Sequence, residues 1–279
     1  MSIAARNILG FAEGGTPAPA YWGLCFTAEE PNVVVNMTKK GSSGVLPTVS
    51  LETSYDGASW TTFDASGFTT PITLANVGDK VYFRAGSGGN NKMTDDEESY
   101  RAFVITGGRC AASGNIMSLI DGDDSTIVTI PATCCFYGLF SGCDLLTTPP
   151  LLPATTLKND CYGYMFRGCS LLATAPELPA TTLKNYCYEY MFRQCTSLIS
   201  TPILPATSPS GEGYCRMFYG CSSLNEVTVM LESWSDCTVG WMYGVAASGT
   251  FKCPAALGTG ASIKRGVRYC PDNWTVVNI

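Results

Sequence analysis

Histidine is absent from this 279-residue chain. With it go the Ser/His/Asp triad, the Cys/His dyad and every imidazole metal site, since histidine is the side chain that changes charge near neutral pH. Charge of any kind is scarce: Asp, Glu, Lys and Arg make up 14% of the residues, 17 basic against 23 acidic, for a net charge of −6. No basic run exceeds a pair such as Lys39-Lys40 or Lys264-Arg265, so the electrostatic footprint of a nucleic-acid binder is missing. No stretch approaches the ~18 consecutive apolar residues of a membrane span. Arg6, Asn7 and Glu13 interrupt the first residues before a signal-peptide core can form, and Ala18-Pro-Ala20 resembles a cleavage site with no apolar segment to deliver it. The expectation is no export signal and no membrane span.

What the chain has in quantity is glycine (29), proline (16), cysteine (14) and apolar residues (46%). That composition belongs to a turn-rich packed body, and its cysteine share lies below the roughly 8–10% of a small disulfide scaffold. The cysteines therefore need a positional explanation, and an internal repeat supplies it. Units beginning at Cys135, Cys161 and Cys187 are spaced by 26 residues, and the first two agree at 16 of 26 positions. A fourth unit keeps phase through Met217, Phe218 and Cys221, with Gly213 at the first cysteine position. Upstream, Ile130-Pro-Ala-Thr133 echoes Leu152-Pro-Ala-Thr155 as a degenerate first coil.

Within a unit, Leu157, Cys161, Met165 and Cys169 fall at i, i+4, i+8 and i+12, joined by Phe166. This spacing predicts one apolar helical face. The Pro-punctuated remainder, 172–179, is too short for a helix and reads as a strand followed by a turn. A 26-residue unit cannot bury both of its faces alone, but stacked units share one core. The expected core columns are Cys135, Cys161 and Cys187; Cys143, Cys169, Cys195 and Cys221; Met165, Met191 and Met217; and Phe166, Phe192 and Phe218.

The motif Tyr164-Met-Phe166, Cys169, Leu172, repeated as Tyr190-Met-Phe192, Cys195, Leu198 and followed each time by Leu-Pro, resembles the BspA-like (Treponema-type) leucine-rich repeats over roughly residues 110–250. The resemblance implies a leucine-rich-repeat solenoid of bacterial cell surfaces and phage structural proteins, used for adhesion or binding. Residues 21–108 differ in texture. Short alternating runs such as Val33-Val-Val-Asn-Met37 and Lys80-Val-Tyr-Phe-Arg84, separated by turns at Asp56-Gly57 and Gly78-Asp79, predict a β-sandwich. Its hairpin, 54–60, looks immunoglobulin-like. The expected fold class is thus α+β: an arm or linker (1–20), a β-sandwich (21–108), a helix-plus-strand solenoid (109–238) and a C-terminal cap (239–279).

No Cys-x-x-Cys pair occurs, so the cysteines read as buried free thiols with no metal or other cofactor. On the helical reading, neighbouring coils lie about 8–10 Å apart, beyond disulfide reach. The aromatic column Phe136, Tyr162, Tyr188 and Tyr214 reads as packing beside the helices. Asp121-Gly-Asp-Asp124 reads as an acidic turn, since no EF-hand pattern follows it, and Glu177 and Glu189 occupy different registers and make no carboxylate pair. No catalytic residue is expected. Two columns vary while their neighbours stay fixed, which predicts an outward-facing binding surface: Leu151, Glu177 and Ile203 in one, Ser141, Arg167, Arg193 and Tyr219 in the other.

The expected function is that of a non-enzymatic phage virion component: head fibre, capsid decoration or tail fibre. Such a protein is made in the host cytoplasm, contacts other virion proteins through its N-terminal arm and forms a homo-oligomer in the assembly. It would bind a host-surface glycan or protein. The alternative is a bacterial cell-surface adhesin of the same repeat family.

Overall fold

The computed structural model describes residues 23–41, 46–65, 71–94, 96, 98–122, 126–260 and 262–279. Residues 1–20, expected as an arm or linker, and Asp123 and Asp124 of the expected acidic turn lie outside that set.

The N-terminal strands are β1 (Cys25–Ala28), β2 (Val33–Gly41), β3 (Leu51–Ser54), β4 (Thr61–Phe63), β5 (Ile72–Leu74), β6 (Lys80–Ala85), β7 (Ser99–Thr106) and β8 (Cys110–Ser113). Strict alternation sets the faces. In β2, Val33, Val35 and Met37 are buried while the residues between them are partly exposed. Two sheets result, β5-β2-β7 and β4-β3-β6-β1-β8. They close on a cluster in which Phe26 lies 4.9 Å from Phe103 and 5.7 Å from Phe83, centroid to centroid.

The second sheet does not end with the sandwich. β8 pairs in parallel with β9 (Leu146–Thr148), a strand of the first repeat, through Cys110↔Leu146. Later coils supply β10 (Ser200–Leu204), β11 (Glu226–Val229), β12 (Thr250–Cys253) and β13 (Thr275–Asn278). These four form a parallel sheet in sequence order, and single parallel bridges join Thr129 to Thr156 and Thr174 to Ser200.

The expected helices do not form. Among the described residues the one α-helix, α1, spans Ser118–Asp121, and the helix-plus-strand solenoid gives way to a β-solenoid of strands and turns. On the side opposite the strands, the backbone enters the left-handed region at every fourth residue. Asp160, Tyr164 and Gly168 have φ of 55°, 56° and 76°; Tyr186, Tyr190 and Gln194 have 55°, 52° and 62°. The first coil does the same at Cys134, Gly138 and Gly142, and the fourth at Arg216 and Gly220. A right-handed helix accommodates none of these angles.

Hydrogen bonding follows the same rhythm. Tyr137, Leu139, Ser141 and Cys143 donate their N–H to the carbonyl three residues back, closing turns. Phe136, Gly138, Phe140 and Gly142 donate instead to Cys161, Gly163, Met165 and Arg167 of the next coil, at 2.7–2.9 Å. A helix satisfies its interior N–H groups within itself. This ribbon sends every second one to a neighbour, so a single coil is incomplete and both ends need covering.

The sandwich covers the first end, where Phe103 N–H donates to Leu139 (2.8 Å) and Met93 N–H to Cys135 (2.9 Å). Arg101, buried between them, donates to the Met93 and Pro47 carbonyls at 2.8 and 3.0 Å. At the other end the coil through Cys237 and Trp241 accepts the N–H groups of Tyr214 and Phe218, and the buried Trp241 ring lies against Tyr214 and Phe218.

Stacking identical coils aligns identical side chains. Phe140, Phe166, Phe192 and Phe218 form a file with centroids 5.3–5.8 Å apart and planes within 14°. The column Phe136, Tyr162, Tyr188 and Tyr214 forms a second file at 5.7–5.9 Å. All eight rings are buried. Each removes on the order of 150–250 Å² from water, roughly 4–6 kcal/mol by area before the entropy of ordering is subtracted. Cys135, Cys161 and Cys187, Cys143, Cys169, Cys195 and Cys221, and Met165, Met191 and Met217 fill the space around the files with no exposure.

The second cysteine column also makes a specific contact. The thiols of Cys143, Cys169, Cys195 and Cys221 donate to the carbonyls of Phe103, Phe140, Phe166 and Phe192 at 2.9–3.2 Å. All fourteen cysteines are free thiols. The separation of 8–10 Å expected for packed helices is corrected, because hydrogen-bonded coils stack at about the 4.8 Å strand spacing.

Candidate functional site

The middle left-handed position of each coil reads Gly138, Tyr164, Tyr190, Arg216 and Gly240. Glycine takes this conformation without a Cβ penalty, whereas other residues give up about 1–2 kcal/mol there. The outer coils use glycine. The three central coils instead place two tyrosines and an arginine at this strained position, and all three point to the surface, half-buried. Strain of this kind is tolerated where the side chain serves a purpose that glycine cannot.

The three belong to a continuous row. Tyr100 meets Tyr137 (5.5 Å), Tyr137 meets Tyr164 (5.2 Å), and Tyr164 meets Tyr190 (4.8 Å). The row fits closely: a Cβ at Gly138 would strike the Tyr100 ring at 2.4 Å, and one at Gly163 the Tyr137 ring at 2.8 Å. The Arg193 guanidinium lies between two rings, 5.0 Å from Tyr190 and 5.2 Å from Tyr219, and Arg167 sits 5.6 Å from Tyr164. Arg216 covers Tyr190 at 5.4 Å and reaches the half-buried Glu189 carboxylate at 3.7 Å. Tyr219 stacks on Tyr243 at 4.8 Å, which extends the row to the cap. Burial and then the Glu189 carboxylate push the Tyr164 hydroxyl up to about 12.

Beside Arg167 the backbone carries no side chain at Gly142 and Gly168, whereas the exposed Gln194 stands at this position beside Arg193. A Cβ at Gly142 would meet nothing, and one at Gly168 would meet only Gly142 at 3.8 Å. On the other flank lies an acidic band, where Tyr186 donates to Glu212 at 3.0 Å and Asp236 pairs with Arg268 at 3.4 Å. Two shallow clefts follow this band. One is lined by Asp96, Cys134, Asp160, Tyr186 and Glu189, the other by Asn185, Tyr186, Glu212, Ser235 and Asp236 among others.

The two columns expected to face outward sit on opposite sides of the solenoid. Arg167, Arg193 and Tyr219 belong to the tyrosine–arginine row. Leu151, Glu177 and Ile203 are exposed on the strand side, with Leu151 at 42% and Ile203 at 56%. Ser141 does not face outward as expected: it is buried at 7% exposure, because its coil is packed against β7 of the sandwich. Tyr137, Tyr164, Tyr190, Arg216 and Tyr243 had no place in the sequence-based surface. For Tyr164, Tyr190 and Arg216 the signal was a column that starts from Gly138 and changes within units otherwise alike; Tyr137 and Tyr243 lie outside that column.

Among the described residues no group of three or more Cys, Asp or Glu side chains could hold a metal ion, and no helix is long and apolar enough to cross a membrane. What the row offers chemically is ring surface, guanidinium donors and neighbouring carboxylates along a rigid line that crosses the coils. Compared with protein-family models, with curated proteins and with solved structures, the chain has no match.

Proposed function

We propose that this chain is a non-enzymatic display protein whose β-sandwich serves as base and cap for a β-solenoid, and whose tyrosine–arginine row binds a partner on a cell surface. The observation that carries this reading is the use of Tyr164, Tyr190 and Arg216 at left-handed positions where Gly138 and Gly240 stand in the outer coils. The side chains give up conformational comfort and gain a connected, partly exposed row.

The setting that the repeat resemblance suggests is the surface of a phage virion. Thirteen buried cysteines, all free, support folding in a reducing cytoplasm over passage through an oxidising compartment, and so favour the virion over an exported adhesin. Mass spectrometry of purified particles from the source phage tests the setting: the chain is expected among the particle proteins, and its absence from every particle would overturn it. Binding of the labelled full chain to host cells tests the role. Retention that is lost in the Tyr164→Gly, Tyr190→Gly double variant is expected, and equal retention of both forms would refute a role for the row.

A further inference from the structure

We infer that the row binds a linear, carboxylate-bearing polysaccharide laid along the solenoid axis, with sugar rings against the tyrosines and sugar carboxylates on Arg167 and Arg193. The inference rests on the binding role proposed above and adds the ligand class. Three observations carry it. First, Arg167 and Arg193 occupy one register position in successive coils, each over a tyrosine face. Neither pairs with a carboxylate nor donates a side-chain hydrogen bond to any described residue, and the Arg193 Nε is buried without a partner. A guanidinium stacked on a ring keeps its edge free, and that edge matches a carboxylate in a two-pronged geometry.

Second, the spacing suits a polymer. Hydrogen-bonded coils repeat at about 4.8 Å, close to the advance of one sugar in an extended glycan. An extended chain crossing the coils would meet a ring or a guanidinium at each step from Tyr137 to Tyr243, with the bare backbone at Gly142, Gly168, Gly220 and Gly244 leaving room for it on either side of the exposed Gln194. Third, the charge pattern selects among polymers. The row borders Asp160, Glu212 and Asp236 in a chain of net charge −6. A nucleic acid, charged at each phosphate and poor in backbone donors, would be repelled by that band. A carboxylated glycan presents hydroxyls that donate to those carboxylates and acid groups that accept from the arginines. A neutral glycan would leave both guanidiniums unanswered.

The test is calorimetry and affinity electrophoresis of the full chain with oligogalacturonate, polysialic acid and hyaluronan. Methyl-esterified oligogalacturonate serves as the uncharged counterpart and dextran sulfate as the charge control. Saturable binding to at least one carboxylated glycan is expected, weakened as salt rises. Where that glycan is oligogalacturonate, the ester should bind at least tenfold more weakly. Arg167→Gln and Arg193→Gln should each weaken binding by tenfold or more, the order expected for a hydrogen bond to a charged group, while Lys252→Gln on the strand side leaves it unchanged. Cooperative unfolding at the wild-type midpoint establishes that each variant is folded.

No binding to any of the three carboxylated glycans, or binding that both arginine variants retain, would overturn the inference. Equal or tighter binding of dextran sulfate would also overturn it, by reducing the site to unspecific charge. If host-cell binding still depends on Tyr164 and Tyr190 while all three glycans fail, the ligand class falls and the binding role stands. Loss of both removes the two together.

Discussion

Gly168→Ala separates a stack of four-residue turns from a stack of helices by the sign of its effect. In a helix the change replaces the second-worst residue with the best and stabilises by about 1 kcal/mol. In this structure Gly168 has φ of 76°, where an L-residue gives up about 1–2 kcal/mol, offset in part by about 0.4–1 kcal/mol from a stiffer unfolded chain. Steric conflict contributes nothing, because the added Cβ would meet only Gly142, at 3.8 Å. The net expectation is a loss of up to about 1.6 kcal/mol, and no gain.

Gln194 supplies the reciprocal. It holds the same position one coil later with φ of 62° and an exposed side chain, so Gln194→Gly should stabilise by about 0.5–1 kcal/mol where a helix would lose about that much. The assay is urea unfolding followed by intrinsic fluorescence, with the m-value checked for constancy so that midpoint shifts report stability. Stabilisation by Gly168→Ala together with destabilisation by Gln194→Gly would refute the turn architecture.

Three further outcomes follow from the core. Burial pushes the thiols of Cys135, Cys143, Cys187 and Cys221 up to about 12 and those of Cys161, Cys169 and Cys195 well above their ordinary value of 9.0. The native state therefore holds protons that the unfolded chain releases, so the stability these thiols contribute is complete below pH 9 and is lost as pH rises toward 12. With about 1.4 kcal/mol per pH unit for each of seven thiols, unfolding should be steep and centred near pH 10–11; a chain that stays native past pH 12 by circular dichroism would contradict this. The Tyr188 hydroxyl is buried without a protein partner in a file that already accepts Phe136, so Tyr188→Phe should leave stability unchanged or raise it by about 1 kcal/mol, and a loss above that size in urea unfolding would count against the packing described. Arg101→Met removes the donors to Met93 and Pro47 and should cost about 1–3 kcal/mol, with hydrogen exchange accelerating first at Met93 and Phe103; unchanged protection there would argue against a junction held by Arg101.

The repeat and its core columns were legible because stacking gives equivalent residues equivalent surroundings, so Cys161, Met165 and Phe166 recur as Cys187, Met191 and Phe192. The sandwich strands were legible through alternation, as in Val33, Val35 and Met37. The helix was misread from a spacing that helices share only in part. At 100° per residue, steps of four drift by 40° each, and a helical face corrects the drift by mixing threes with fours. Leu157, Cys161, Met165 and Cys169 never use a three, which is the mark of a strict four-residue period. The left-handed positions were hidden because tyrosine and arginine carry no preference for them, and the glycines that share them, Gly138, Gly142, Gly168, Gly220, Gly240 and Gly244, hinted at the conformation without marking its period. Ser141 was misplaced because it varies within its column, yet its coil lies beneath the sandwich, a contact that the repeat pattern does not encode.

The most direct test of the turn-built solenoid is the sign of φ at Tyr164, Tyr190 and Arg216, read in solution from scalar couplings and backbone chemical shifts of the labelled full chain. Positive angles near 56°, 52° and 50° are expected at all three. Negative, helical angles at these residues would contradict the fold and the tyrosine–arginine row built on it.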